Sequence, residues 1–244
     1  MLTGTDPYRD IDHDPQAQQS LRLATHLGAL QDQGPLALHA SLRHKCSKIH
    51  RLAPPPTPLP PVPRVLCVVL VVHLRDEINP LTFMRAAVWL RDRSDIHWQQ
   101  IDEAIDPTLA DAAQRSAARC SQYRWRGGLP RAAARQQVRR AQALVNSSRI
   151  EGGAQVVLKA VQSGSAVMAS HRAGNIGLLG PAHAGYFDLG DDHNAACLLA
   201  RARARPAFLA LLREQTRARA PHFEPVEGRR RLTELVMIAL EKLR

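Results

Sequence analysis

The chain has 244 residues with 45% hydrophobic content, enough to bury one large core or two small ones. Lys and Arg total 33 against 22 Asp and Glu, a formal charge of +11 that suits an anionic partner: nucleic acid, a membrane surface or a phosphorylated small molecule. Four scattered cysteines with no CxxC pair exclude a zinc ribbon and a disulfide framework, and the longest apolar run, residues 65–72, is too short to cross a bilayer.

The first twenty residues are polar and acidic, unlike a secretory signal, so a soluble cytoplasmic protein is expected. A polar loop at 6–14 precedes helical periodicity at 17–30 and 35–42. Residues 1–52 are thus read as a partial N-terminal unit, too short for a doubly wound domain whose βα units need about thirty residues each. The proline run at 53–63 predicts a stiff connector; a ligand for a proline-recognising domain is the alternative. Beyond it, short apolar runs alternate with amphipathic stretches, which predicts βα units and a parallel sheet in a Rossmann-like domain over 64–221.

In order, strands are expected at 65–72, 96–101, 143–147, 166–170 and 185–189. Helices are expected at 80–93, 107–120, 130–141, 154–162, 191–204 and 207–219, with a C-terminal helix within 222–244. Pro80 and Pro107 sit where a first helical turn tolerates them, and Gly164 stands where a helix end needs a left-handed residue. Arginine supplies most of the charge, in segments such as Arg131-Ala-Ala-Ala-Arg135 and Arg201-Ala-Arg203-Ala-Arg205. That alternation predicts solvated helix faces, and aromatics at 4% are too few to interleave with nucleic-acid bases, so no nucleic-acid partner is expected.

Three loops carry candidate chemistry. Asn146-Ser-Ser-Arg-Ile-Glu-Gly-Gly153 joins a strand to a helix, so Gly152 and Gly153 let backbone approach a phosphate, and Glu151 can accept hydrogen bonds from sugar hydroxyls. Equally, the glycines could only shape a turn and Glu151 only steady the helix start. Gly174-Asn-Ile-Gly-Leu-Leu-Gly180 follows the next strand and would open on the same sheet edge, although its spacing is not a dinucleotide fingerprint. In His73-Leu-Arg-Asp-Glu77, after the first strand, Arg75 could bind a phosphate bidentately. Asp10, Asp12, His13 and Asp14 read as a solvated loop, and His44, Cys46 and His50 lack a fourth zinc partner.

These words, with Leu2-Thr-Gly-Thr-Asp-Pro-Tyr-Arg-Asp10, Ser148-Arg-Ile-Glu-Gly-Gly-Ala154, Gly185-Tyr-Phe187 and Arg219-Ala-Pro-His-Phe223, resemble the selenosugar synthases of selenoneine biosynthesis, a branch of the family 4 retaining glycosyltransferases. The resemblance implies a GT-B-like α/β fold of two Rossmann-like domains facing across a cleft, a UDP-sugar donor, UDP-N-acetylglucosamine in that group, and selenophosphate as the selenium source. No metal or other cofactor is implied. It places Arg75 at the donor diphosphate and Glu151, Gly152 and Gly153 at the sugar and phosphates. Arg149, Gly174, Asn175, Gly177 and Lys159 would line the same pocket. The sequence departs from that pattern in three ways. Lys159 stands where the family carries a second glutamate, Val72 and Ile78 replace a glycine and a lysine, and no opening strand with a glycine-rich loop precedes Leu2. An N-terminally shortened member of that group is the expectation; the alternatives are a catalytically inactive remnant of such an enzyme and, on charge alone, a basic nucleic-acid-binding protein.

Overall fold

The computed structural model describes residues 2, 11, 13–52, 64–71, 76–101, 103 and 106–241. The connector at 53–63, most of the 6–14 loop and Arg75 lie outside the described residues.

The N-terminal unit starts with α1 (Pro15–Leu23), whose Asp14 cap accepts the Gln16 N–H and whose first position is Pro15. The single helix expected over 17–30 is not formed. At Ala24 the backbone becomes extended, and β1 (Leu27–Ala29) follows with all three residues buried. Burial of this strand between neighbours outweighs the helical periodicity. A 3-10 turn (Gly34–Ala37) and one turn of helix, α2 (Ala40–Arg43), replace the helix expected over 35–42. β2 (Cys46–Lys48) then runs parallel to β1, while Leu2 bridges to Ala29. Leu2, Ile11, Leu21, Leu27 and Leu38 form the small core of this unit.

The larger unit is built as expected from βα repeats. Its elements are β3 (Leu66–Val71), α3 (Pro80–Trp89), β4 (Ile96–Ile101), α4 (Pro107–Arg119), β5 (Tyr123–Trp125), α5 (Arg131–Arg140), β6 (Ala143–Asn146), α6 (Gln155–Ser163), β7 (Ala166–Ser170), α7 (Ala173–Leu179), β8 (Tyr186–Phe187), α8 (Asp192–Ala204) and α9 (Pro206–Arg217). All neighbours in the sheet are parallel, in the order β5-β4-β3-β6-β7-β8. Alternation along β3 sends Leu66, Val68 and Leu70 into the core shared with α3, α4, α8 and α9, and Val69 into the core under α5, α6 and α7. Both sheet faces are therefore covered, which is why these strands read as continuous apolar runs.

Two elements escaped the pattern. β5 is only Tyr-Arg-Trp, anchored where the Tyr123 hydroxyl donates to the buried Gln100 side chain at 2.7 Å. The 174–180 segment, expected as a loop, is mostly the helix α7. Its glycines serve close packing: a methyl group on Gly174 would stand 1.9 Å from the Glu151 carbonyl oxygen. Gly164 caps α6 at φ 70°, the left-handed conformation its sequence position suggested.

The chain closes with α10 (Pro225–Glu241), which returns to the N-terminal unit, where Gly228 packs against Leu52 and Arg231 donates to His50 Nδ1 at 2.8 Å. Asp32 is the hub of this junction. Its carboxylate accepts from Arg219 at 2.6 Å, lies 3.2 Å from His50 Nε2 and 3.7 Å from Lys48, and is held far below the usual carboxylate range by His50 and Arg219, which outweigh the opposing effect of burial. Among the described residues no helix is long and apolar enough to cross a membrane.

Candidate functional site

Strand order reverses between β3 and β6, since chain-successive units go one way to β4 and β5 and the other way to β7 and β8. Parallel sheets of this topology leave a crevice at the carboxyl ends of the strands on either side of the reversal. A cavity of about 590 Å³ lies there, touched by Val71 at the end of β3, Ile101 at the end of β4 and Asn146 at the end of β6.

Glu151 lines this cavity from the turn after β6. Its Oε1 accepts the Gly153 N–H at 3.1 Å, an Asx-like closure that fixes the carboxylate over the start of α6. Burial pushes its carboxyl pKa up, against the hydrogen bond from Gly153, contacts with Asn146 and Ser148, and the charge of Arg51. The turn is braced from behind. Asn146 Nδ2 donates to Asn175 Oδ1 at 2.8 Å and Ser148 Oγ to Asn146 Oδ1 at 2.9 Å. Asn175 Nδ2 donates to the Ser170 carbonyl at 3.0 Å, and Ser170 Oγ donates to the Ser148 carbonyl at 2.6 Å. This buried network ties the ends of β6 and β7 to α7 and leaves little freedom for the loop that carries Glu151.

Cations line the cavity from three directions: Arg51 at the end of the N-terminal unit, Arg131 and Arg135 on α5, and Lys159 on α6. Glu103 and Glu151 are the carboxylates among the lining residues. The ammonium of Lys159 is half-buried and its pKa is lowered, first by burial and then by repulsion from Arg135 and Arg131. Among the described residues the lining is short of negative charge, and an anion entering it would relieve the repulsion.

The candidate residues named from the sequence divide into groups. Glu151, Gly153 and Lys159 line the cavity, and Gly152 is buried in the same turn. Gly174, Asn175 and Gly177 do not line it. Gly174 backs onto the Glu151 carbonyl, Asn175 is sealed in the bracing network, and Gly177 faces Gln31, because α7 packs behind the turn instead of opening onto the crevice. Arg149 is exposed outside the cavity lining, its backbone N–H bonded to the Glu77 carbonyl at 2.7 Å. Arg131 and Arg135, expected on a solvated face, are exposed but line the cavity; four residues apart on α5, they reach it side by side. The signal that could have found them is their place in the first turns of the helix after β5, at the carboxyl edge of the sheet.

No family model and no curated protein sequence matches the chain. Solved structures do match in shape. A mutant S. aureus TarM crystallised with UDP superposes with a TM-score of 0.78 at 9% identity, over 96% of this chain and 49% of that one. Anabaena HepE in complex with UDP gives 0.78 at 14% identity, over 94% of this chain and 70% of that one. Sucrose-phosphate synthase from Thermosynechococcus elongatus gives 0.78 at 16% identity, over 99% and 67%. The chain thus spans about half the length of TarM and about two thirds of the other two. With its switch-point crevice and its N-terminal parallel strands, the chain has an α/β fold of the Rossmann-like GT-B type.

Proposed function

We propose that the chain is a glycosyltransferase that binds a UDP-sugar in the switch-point cavity. The observation that carries this reading is the convergence of Arg51, Arg131, Arg135 and Lys159 with the Glu151 turn at the carboxyl edge of the sheet. The UDP and UDP-glucose complexes of the structural neighbours give it further support. In this reading the cations face the donor diphosphate and Glu151 faces the sugar hydroxyls. Transfer breaks the bond between the anomeric carbon and the diphosphate oxygen, forms a bond from that carbon to the acceptor, and releases UDP. Negative charge grows on the leaving oxygen, and fixed cations beside it lower the barrier.

The finer assignment, N-acetylglucosamine as the sugar and selenophosphate as the acceptor, rests on the sequence words around Glu151 and Arg219. Lys159 favours a second reading, a chain that holds nucleotide without turnover. It puts an ammonium in the position from which the related enzymes are expected to grip ribose hydroxyls with a carboxylate.

Calorimetric titration of the full chain with UDP and UDP-N-acetylglucosamine tests the site, with Arg131→Gln/Arg135→Gln as the variant. Saturable binding weakened at least tenfold in the variant supports it, and absence of UDP binding overturns it. UDP release in the presence of selenophosphate, with the product identified by mass, then separates turnover from binding alone.

A further inference from the structure

The sheet carries a second cavity at its opposite edge. Ala141 and Gln142 lead into β6, and Gly164 and Ser165 lead into β7, so this cavity of about 490 Å³ lies beneath the amino ends of strands whose carboxyl ends bear the first site. Strands of four or five residues at about 3.3 Å each set the two some 15 Å apart. Arg139, Arg140, Arg213 and Arg217 line it, and no carboxylate is among the described residues that line it. Among the described residues Arg140, Arg213 and Arg217 make no ion pair.

The C-terminal ends of α5, α6 and α9 meet here, and arginines near helix ends commonly answer the partial negative charge of the carbonyls. That accounts for only part of the cluster. Three helix ends offer about half a charge each, less than two charges against the three guanidinium groups of Arg140, Arg213 and Arg217. Arg213 is half-buried, and its Nε is enclosed without an acceptor. Burial and the neighbouring Arg217 both push its pKa down, the direction expected of a cation without a counterion. Gly164, held at φ 70°, lies beside the Arg217 guanidinium.

We propose that this cavity is a second anion site that binds the phosphate or diphosphate group of a phosphorylated ligand between Arg213, Arg217 and Arg140. Planar guanidinium groups match such oxygens bidentately, and the half-buried position of Arg213 strengthens the contact.

The test is calorimetry with inorganic pyrophosphate on the full chain carrying Arg131→Gln/Arg135→Gln, so that the contribution of the first cavity is reduced. Adding Arg213→Gln/Arg217→Gln is expected to weaken binding at least tenfold. Adding Arg119→Gln/Arg124→Gln instead, which removes the same charge from exposed positions elsewhere, should leave it within twofold. Equal loss in both variants overturns the proposal in favour of unspecific surface charge, as does retention of binding without Arg213 and Arg217. Circular dichroism and melting of each variant establish that it is folded. Retention on phosphatidic acid vesicles that pyrophosphate competes away marks a lipid headgroup as the source of the phosphate; pyrophosphate binding without vesicle retention marks a soluble ligand.

Discussion

Gly174→Ala puts the link between packing and the first cavity to a sharp test. The added methyl would stand 1.9 Å from the Glu151 carbonyl oxygen and 2.7 Å from its carbonyl carbon, and neither backbone atom can rotate away. Restoring an ordinary contact of about 3.4 Å requires α7 and the Glu151 turn to part by about 1.5 Å. Overpacking of this kind costs about 1–3 kcal/mol, which lowers Tm by about 2–12 °C in a chain of this size. The same movement drags Glu151 from its place over α6, and under the proposed function misplacement by about 1 Å is enough to cost transfer about a hundredfold. Gly190→Ala is the control, because φ 85° strains the new residue while nothing lies within 4 Å. It should lose about 1–2 kcal/mol and keep its UDP affinity. Melting curves and UDP titrations on both variants decide the matter. If Gly174→Ala binds UDP as well as Gly190→Ala does, the turn is not held by α7 and the reasoning fails.

Glu151→Gln should stabilise the chain at neutral pH. The carboxyl pKa is raised in the folded state, so the wild type loses stability as pH rises above the ordinary carboxylate value of about 4.3, and an amide, which still accepts from Gly153, does not. Melting from pH 4 to 8 should show a gap that opens with pH; parallel curves would refute it. For Asp32 the sign is opposite. Its depressed pKa supplies stability that is complete above about pH 4 and is lost as pH falls through the folded value. Asp32→Asn, which leaves Arg219 and His50 facing an amide at a partly exposed site, should cost about 1–3 kcal/mol by urea unfolding at pH 7 and less at pH 3.

The sheet was legible because both its faces are covered, so that the segments forming β3, β6 and β7 are unbroken apolar runs separated by amphipathic helices of ordinary length. The strands that escaped are short, and no short-range pattern marks β1, where helical periodicity runs on through Leu27. Glu151 was legible because its glycine-flanked turn is written in consecutive residues. Arg131 and Arg135 were not, since an alanine-arginine repeat looks the same whether its helix faces solvent or a crevice; only the strand order decides which. The glycines of α7 misled for a related reason. Their purpose is the close approach to Glu151 and Gln31, contacts with residues far away in sequence.

The junction at Asp32 bears on how the chain is made. Its nearest charged partner, Arg219, lies 187 positions later, and Arg231, which holds His50, is later still. At about 5–20 residues per second, roughly ten to forty seconds of synthesis separate Asp32 from its partner. Throughout that time the strands β1 and β2 stand without the segment that clamps them, and Leu30 waits for Gly153 to pack against it. Strands β1 and β2 are thus secured only after the much later Arg219 and Arg231 have been made, so slow translation or early termination exposes an unfinished sheet edge to aggregation and to cellular chaperones.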